Sequence, residues 1–385
     1  NMGIILKDLG KISEAESHLK KAIALKPNFS LAHSNLGIVL AELGQYKEAE
    51  LSYQRAIKIQ PDFAEGNFHL SLLNLKLGNY KDGLKGYEFR WKIKKPSYLY
   101  GNPIIERKDD AIFSDSENIL VIGEQSKGDI IFHMRYLLAL KAKNVRINFC
   151  APEILHNLIK SSGIHPKPIS PKECANINTG KWLPLMSLLR YFSVSPQKTV
   201  VNPPYIFAEN DLRKKWKDIL LKENKPLIAI NWQGSRKIEL SSYKGRSIPL
   251  EKFSILLKNN DIKFVSLQKG FGSEQIQNCS FKKYFVDCQS SIDEANDFSE
   301  TAAIIDNCDL VITIDCSIAP LAGGMGKEVW LMLTKNSFWT WGLHKERTFW
   351  FPSMRLFRQN QFFNWDEVME NISSELSTYL KNKDI

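Results

Sequence analysis

The feature that most constrains this 385-residue chain is a 34-residue period in its N-terminal part. Gly10, Gly44 and Gly78 recur at that interval, as do Ala15, Ala49 and Gly83, then Leu19, Tyr53 and Tyr87, and the pair Pro27 and Pro61. A repeat of this length is one supersecondary unit. It is too small to bury its own apolar face, so neighbouring copies must stack to build a continuous core. The residue types specify a helical hairpin. Small residues let two helices approach closely, an aromatic fills the gap to the next hairpin, and proline ends the second helix because it cannot donate the hydrogen bond a helix interior needs.

The middle copy is the clearest, with Leu36-Gly37, Gly44-x-Tyr46, Ala49, Tyr53, Ala56 and Pro61 at the packing positions of the tetratricopeptide repeat. Residues 1–95 are therefore expected to form an all-α solenoid. Met2-Gly3 aligns with Leu36-Gly37, so the pattern is entered in mid-helix and the array is expected to extend upstream. After Tyr87 the third copy decays into the basic, aromatic segment FRWKIKKPSYLYGNP, and residues 96–115 read as a linker. Phe89, Trp91 and Tyr98 are expected to pack against the domain that follows.

From residue 118 the pattern changes to short branched runs that alternate with helix-length amphipathic stretches. NILVIGEQS, GDIIFHMRYLLALKAKN, VRINFCAP and EILHNLIKSSG open the series. PLIAINWQGS, IKFVSLQKG, YFVDCQ, SETAAIIDNC, DLVITID and EVWLML continue it. Alternation of this kind implies βαβ units and parallel sheets. The expected fold is α/β, with Rossmann-like halves at 116–210 and 211–385 behind the solenoid and a terminal helix packing back across the join. Open sheets of this type bind ligands beyond the carboxyl ends of their strands.

At one such end the run VITID stops on an acid, Asp315, and CSIAPLAGG follows. Proline is tolerated only in a helix's first turn, so Pro320 places a helix start near Cys316 or Ser317. The amides of Ser317, Ile318 and Ala319 would then lack intrahelical partners and suit a phosphate. Taken from this segment alone, Asp315 reads as a helix cap, the commonest use of an aspartate there.

Composition narrows the function classes. The net charge of +10 and pI near 9.1 come mostly from dispersed lysines, which suit anionic ligands in general. No nucleic-acid motif accompanies them, so a nucleic-acid partner is not expected. Cys150, Cys174, Cys279, Cys288, Cys308 and Cys316 show neither C-x-x-C pairing nor zinc-ligand spacing with histidine, and they read as reduced thiols. Every long apolar run is broken by charge well short of the ~20 residues a membrane span needs. These features together predict a cytoplasmic location without a membrane span.

Several blocks between residues 118 and 380 resemble, in order and spacing, the heptosyltransferase-like glycosyltransferases of family 9, which have the GT-B fold, in the bacterial subgroup fused behind tetratricopeptide repeats. The blocks are GEQSKGDIIFHMRYLLALKAKNVRINF (123–149), NWQGS (231–235), GRSIPLEKF (245–253), KFVSLQKG (263–270), DFSETAAIIDNCDLVITIDCSIAPLAGGMGKEVWLML (297–333) and FWFPSMRLFRQ (349–359). The resemblance implies sugar transfer from a nucleotide-sugar donor to an acceptor hydroxyl on a glycan or protein. It implies that Asp315 contacts the donor sugar, that Cys316, Ser317 and Ile318 receive the diphosphate, and that Asp129 of Gly128-Asp129 is the general base. Gly128, Gln233, Ser235, Lys237, Lys244, Arg246, Gln268 and Lys269 are the expected supports for nucleotide and phosphates.

Two departures from the family pattern stand out. Ser126-Lys127 replaces a leucine and glycine before the Gly-Asp, and Pro320 replaces a histidine. No D-x-D triplet occurs, so no cofactor or metal is expected, and amides and cations would take the ion's place. The repeats offer a concave surface for an acceptor protein and are also compatible with self-association. The competing expectation is a non-catalytic interaction scaffold carrying a degenerate glycosyltransferase domain, because fold alone does not fix function.

Overall fold

The computed structural model describes every residue except 1, 111, 221, 237, 238, 240–244, 259, 296, 344 and 383–385. The described residues divide into two compact units. One comprises Asn1–Tyr98 with Leu189–Lys198 and Phe338–His344, and the other comprises the rest.

In the first unit, helices α1 (Met2–Asp8), α2 (Ile12–Leu25), α3 (Ser30–Glu42), α4 (Tyr46–Ile59), α5 (Ala64–Leu77) and α6 (Tyr80–Tyr87) pair as successive hairpins. The recurrent glycines explain the turns. Gly10, Gly44 and Gly78 take φ of 79°, 79° and 91°, the left-handed conformation that only glycine adopts without steric cost. A second kind of glycine sets the helix spacing. A Cβ at Gly37 would come within 2.6 Å of the Tyr53 ring, so the small residue of one helix and the aromatic of the next are one packing device. Tyr53 is 3% exposed and lies in a core with Leu36, Val39, Leu40 and Ala49.

Two segments expected in the α/β halves belong to this helical unit instead. For the second of them, Phe338–His344, the reason is aromatic packing: Trp339 is buried, with its ring edge-on to Tyr87 at 5.9 Å. The 3-10 turn Glu88–Trp91 also folds onto the array, where the buried Arg90 guanidinium lies 4.8 Å from the Tyr87 ring and 5.0 Å from Trp91.

The second unit holds two parallel sheets. Strands β1 (Asn118–Ile122), β2 (Arg146–Cys150) and β3 (Lys181–Pro184) form one in the order β2-β1-β3. Strands β4 (Leu227–Asn231), β5 (Lys263–Ser266), β6 (Leu310–Ile314), β7 (Val329–Leu333) and β8 (Met354–Arg358) form the other, in the order β5-β4-β6-β7-β8. Strands β4, β6 and β7 are buried at every position, as expected of central parallel strands covered on both faces. In the larger sheet the winding reverses between β4 and β6, which makes the crevice at their carboxyl ends the topological switch point.

Two local expectations differ from the fold. YFVDCQ makes a single bridge among the described residues, Phe264 to Phe285, in a segment where Phe281 and Phe285 stack on each other and both pack at an angle on Phe264. The terminal helix Asp366–Asn382 packs on β8 and on the 3-10 helix Leu250–Leu257 of its own half, not across the join. Leu376 and Ile372 are fully buried there beside Trp330 and Phe253, and Tyr379 Oη donates to the Asp309 carbonyl at 2.9 Å.

Arg135 ties the elements around the smaller sheet to those around the larger one. It is 1% exposed, its Nε donates to the Phe132 carbonyl at 2.9 Å, and Nη1 donates to the Trp350 carbonyl at 3.0 Å. The rings of Phe132, Tyr205 and Phe351 lie 4.7, 4.5 and 4.6 Å from its guanidinium. No carboxylate is paired with it among the described residues, so carbonyls and ring faces carry the compensation for burying the charge.

Candidate functional site

The strand-end acid lies where the sequence pattern places it. Asp315 follows β6 at the switch point, half-buried, with Cys316 and Ser317 also half-buried and Ile318 6% exposed. The following helix is Ile318–Gly324, with Ser317 as N-cap and Pro320 in its first turn. The N-cap position therefore falls to Ser317, two residues after Asp315, and the Ser317 side chain makes no capping hydrogen bond.

Arg246 and Gly234 build the floor beside this turn. The Arg246 side chain is 9% exposed, and its Nη1 donates to the Asp315 carbonyl at 2.9 Å. Its guanidinium lies over Gly234 so closely that a Cβ there would be 2.4 Å from Nη2. The glycine of NWQGS thus makes room for a cation at the end of β6.

A polar chain behind the turn holds it in place. The Cys316 thiol donates to Asn231 Oδ1 at 3.1 Å, and Asn231 Nδ2 donates to Gln268 Oε1 at 2.9 Å. Gln268 Oε1 also accepts from the Gln233 amide at 3.0 Å, while its Nε2 donates to the Phe271 carbonyl at 2.9 Å. Burial pushes the Cys316 thiol's pKa up, against hydrogen bonding by Thr313 and the Ile318 amide and the charge of Arg246, so it stays a neutral donor. Gln268 was expected to meet the nucleotide; it is buried and its bonds brace β4 and β5. Asn231 was missed in the sequence, although a polar residue closing an apolar strand is the same signal that marked Asp315.

The other expected supports are dispersed. Gln233 is half-buried and its Oε1 accepts from Gln275 Nε2 at 3.0 Å. Ser235 is exposed. Lys269 turns its ammonium to the Ile292 carbonyl, and burial lowers its pKa against the pull of Asp293 and Glu300. Lys237 and Lys244 lie outside the described residues.

The start of α7 (Lys127–His133) faces this turn. An added Cβ on Gly128 would sit 3.2 Å from the Ser317 Cα, so the two backbones are in contact distance. Asp129 is the third residue of the helix and closes a capping box. Ser126 N and Oγ donate to its Oδ2 at 3.0 and 2.6 Å, and the Asp129 amide donates to Ser126 Oγ at 3.2 Å. The serine at 126 supplies the cap. No hydrogen bond to Oδ1 is made among the described residues. Burial raises the Asp129 pKa to about 6, the Ser126 bonds oppose the rise, and the negative fields of Asp315 and Glu124 add to it. Glu124 is itself buried and accepts from the Met186 amide at 2.8 Å, which links β1 to the end of β3.

Comparison with known proteins adds the following. Residues 3–44 match a model described as TPR repeat, and residues 30–63 match one described as tetratricopeptide repeat. Protein FlbA of Caulobacter vibrioides is 28% identical over 159 residues, a stretch covering 40% of this chain and 25% of that protein's length. A glycosyl transferase family 9 structure from Veillonella parvula DSM 2008 is 13% identical, with a TM-score of 0.44 over 71% of this chain and 91% of that one. The E. coli ADP-heptose lps heptosyltransferase II structure is 10% identical, with a TM-score of 0.45 over 70% of this chain and all of that one. The chain is a tetratricopeptide-repeat array followed by an α/β part with two parallel sheets, and that α/β part is similar to these two structures over their length.

Proposed function

We propose that the chain transfers a glycosyl group from a nucleotide-sugar donor to an acceptor hydroxyl, with the donor held at the carboxyl edge of the five-stranded sheet and without a metal ion. One observation carries this reading: the turn Asp315–Ser317, at the switch point, stands in contact distance of the helix that bears Asp129. Asp129, whose pKa burial raises to about 6, lies on that helix, and the buried Arg246 guanidinium holds the turn through the Asp315 carbonyl. In the reaction the acceptor oxygen bonds to the anomeric carbon, its proton goes to Asp129, and the bond from that carbon to the diphosphate oxygen breaks. The charge on the leaving diphosphate would be met by the amides of Ser317 and Ile318 and by Arg246, with Asp315 accepting from a donor-sugar hydroxyl. The repeat array would select or present the acceptor.

The capping box favours a second reading, in which Asp129 is only structural and the α/β unit binds nucleotides without turnover while the repeats do the work. Release of nucleoside diphosphate from a panel of nucleotide sugars, with and without EDTA, separates the two. EDTA-resistant turnover that disappears in Asp129→Asn and Asp315→Asn, with melting temperatures no lower than that of the parent, supports transfer. Nucleotide-induced thermal stabilisation without turnover supports the second reading.

A further inference from the structure

We infer that Phe271 and Arg236 form the platform on which the nucleobase of the donor stacks. This rests on the nucleotide-sugar reading above and extends it to a part of the ligand that reading leaves unassigned.

Phe271 is 46% exposed, and the Arg236 guanidinium carbon lies 5.1 Å from its ring centre. The ring is not on a loose loop. Its carbonyl accepts from the buried Gln268, and it is flanked by Gly270 and Gly272, whose φ of 63° and 96° make the tight turn that turns the ring outward. The Gly272 amide donates to Glu274 Oε2 at 2.7 Å, which fixes the far side of the turn. A rigid, outward-facing aromatic with a cation on one face matches the way bases are gripped without reading their edges.

Contacts connect this platform to the proposed diphosphate site in one continuous order. Phe271 adjoins Gly272, which lies against Gln233; a Cβ on Gly272 would fall 2.0 Å from Gln233 Oε1. Gln233 adjoins Gly234, which carries the Arg246 guanidinium, and Arg246 holds the Asp315 carbonyl. Along the carboxyl edge of β5, β4 and β6 the chemistry therefore runs aromatic, amide, guanidinium, carboxylate. A nucleotide sugar runs base, ribose, diphosphate, sugar. The two sequences align, with Gln233 placed for the ribose.

The experiment is calorimetric titration of the full chain with ADP, GDP, UDP and CDP, with inorganic pyrophosphate as the base-free probe. Phe271→Ala should weaken the best-binding nucleoside diphosphate about tenfold or more, the range base stacking supplies, and leave pyrophosphate within about twofold. Phe271→Trp should bind at least as tightly as the parent. Unchanged nucleoside diphosphate binding in Phe271→Ala, or an equal loss for pyrophosphate, overturns the platform while leaving the donor reading standing. Failure of the unaltered protein to bind any of the four overturns both.

Discussion

Gly128 meets Ser317 backbone to backbone: a Cβ on it would approach the Ser317 Cα to 3.2 Å, tighter than ordinary van der Waals contact. Any larger side chain at 128 requires the start of α7 or the strand-end turn of the larger sheet to give by a few tenths of an ångström. Gly128→Val should push them apart and lower kcat/KM at least about 100-fold, the scale of a misplacement near 1 Å, while the melting temperature falls by only a few degrees. Steady-state kinetics beside thermal unfolding checks this.

Asp129 carries the pH dependence. Its folded pKa is near 6, against an ordinary value of 3.8, so the folded chain holds this proton more tightly than the unfolded chain does. Stability from this group is therefore full below about pH 4 and is lost as pH rises to 6. Asp129→Asn should raise the melting temperature at pH 7.5, an advantage that should shrink to nothing by pH 4. Over the same range transfer by the parent should rise through pH ~6 as the base ionises, and the variant should show none.

Arg246 is buried and holds a backbone carbonyl, so its fork geometry matters as well as its charge. Arg246→Lys should therefore lose about 100-fold in kcat, as expected when one fixed donor is lost from a developing anion. Its effect should be similar to that of Arg246→Gln. Retention of most activity in the lysine variant would remove Arg246 from the diphosphate site.

Arg135 is a packing residue, fully enclosed by rings and carbonyls. Arg135→Met keeps the stem and deletes the charge-assisted bond to Trp350 and the ring contacts. A loss of about 2–4 kcal/mol in chemical denaturation is expected.

In the repeats, Gly37→Ala should cost about 1–3 kcal/mol because the methyl would strike the Tyr53 ring, and Tyr53→Ala about 3–5 kcal/mol because the ring leaves a cavity. Denaturation followed by circular dichroism tests both.

Most of the fold was legible because its signals are local and periodic. Gly10, Gly44 and Gly78 announce left-handed turns, and Pro320 announces a helix start, each through a backbone restriction that needs no neighbour to be read. The acid at the end of β6 was legible for the same reason. The roles of Gln268 and Lys269 were not, since a polar side chain after a strand can face a ligand or brace a loop. The direction is set by partners such as Asn231 and the Ile292 carbonyl, far away in sequence. Arg135 gave no signal, because an arginine in an amphipathic run ordinarily reaches solvent.

The order of elements, the repeat unit, the parallel strands and the strand-end aspartate are thus written in the chain itself, since each follows from the steric and hydrophobic preferences of neighbouring residues. Which side chains share a space was decided only on folding. Gly128 against Ser317, Arg246 on the Asp315 carbonyl and Arg135 on the Trp350 carbonyl each join residues far apart in sequence. Close packing chose those pairs, and packing is a property of the assembled layers and of no single segment.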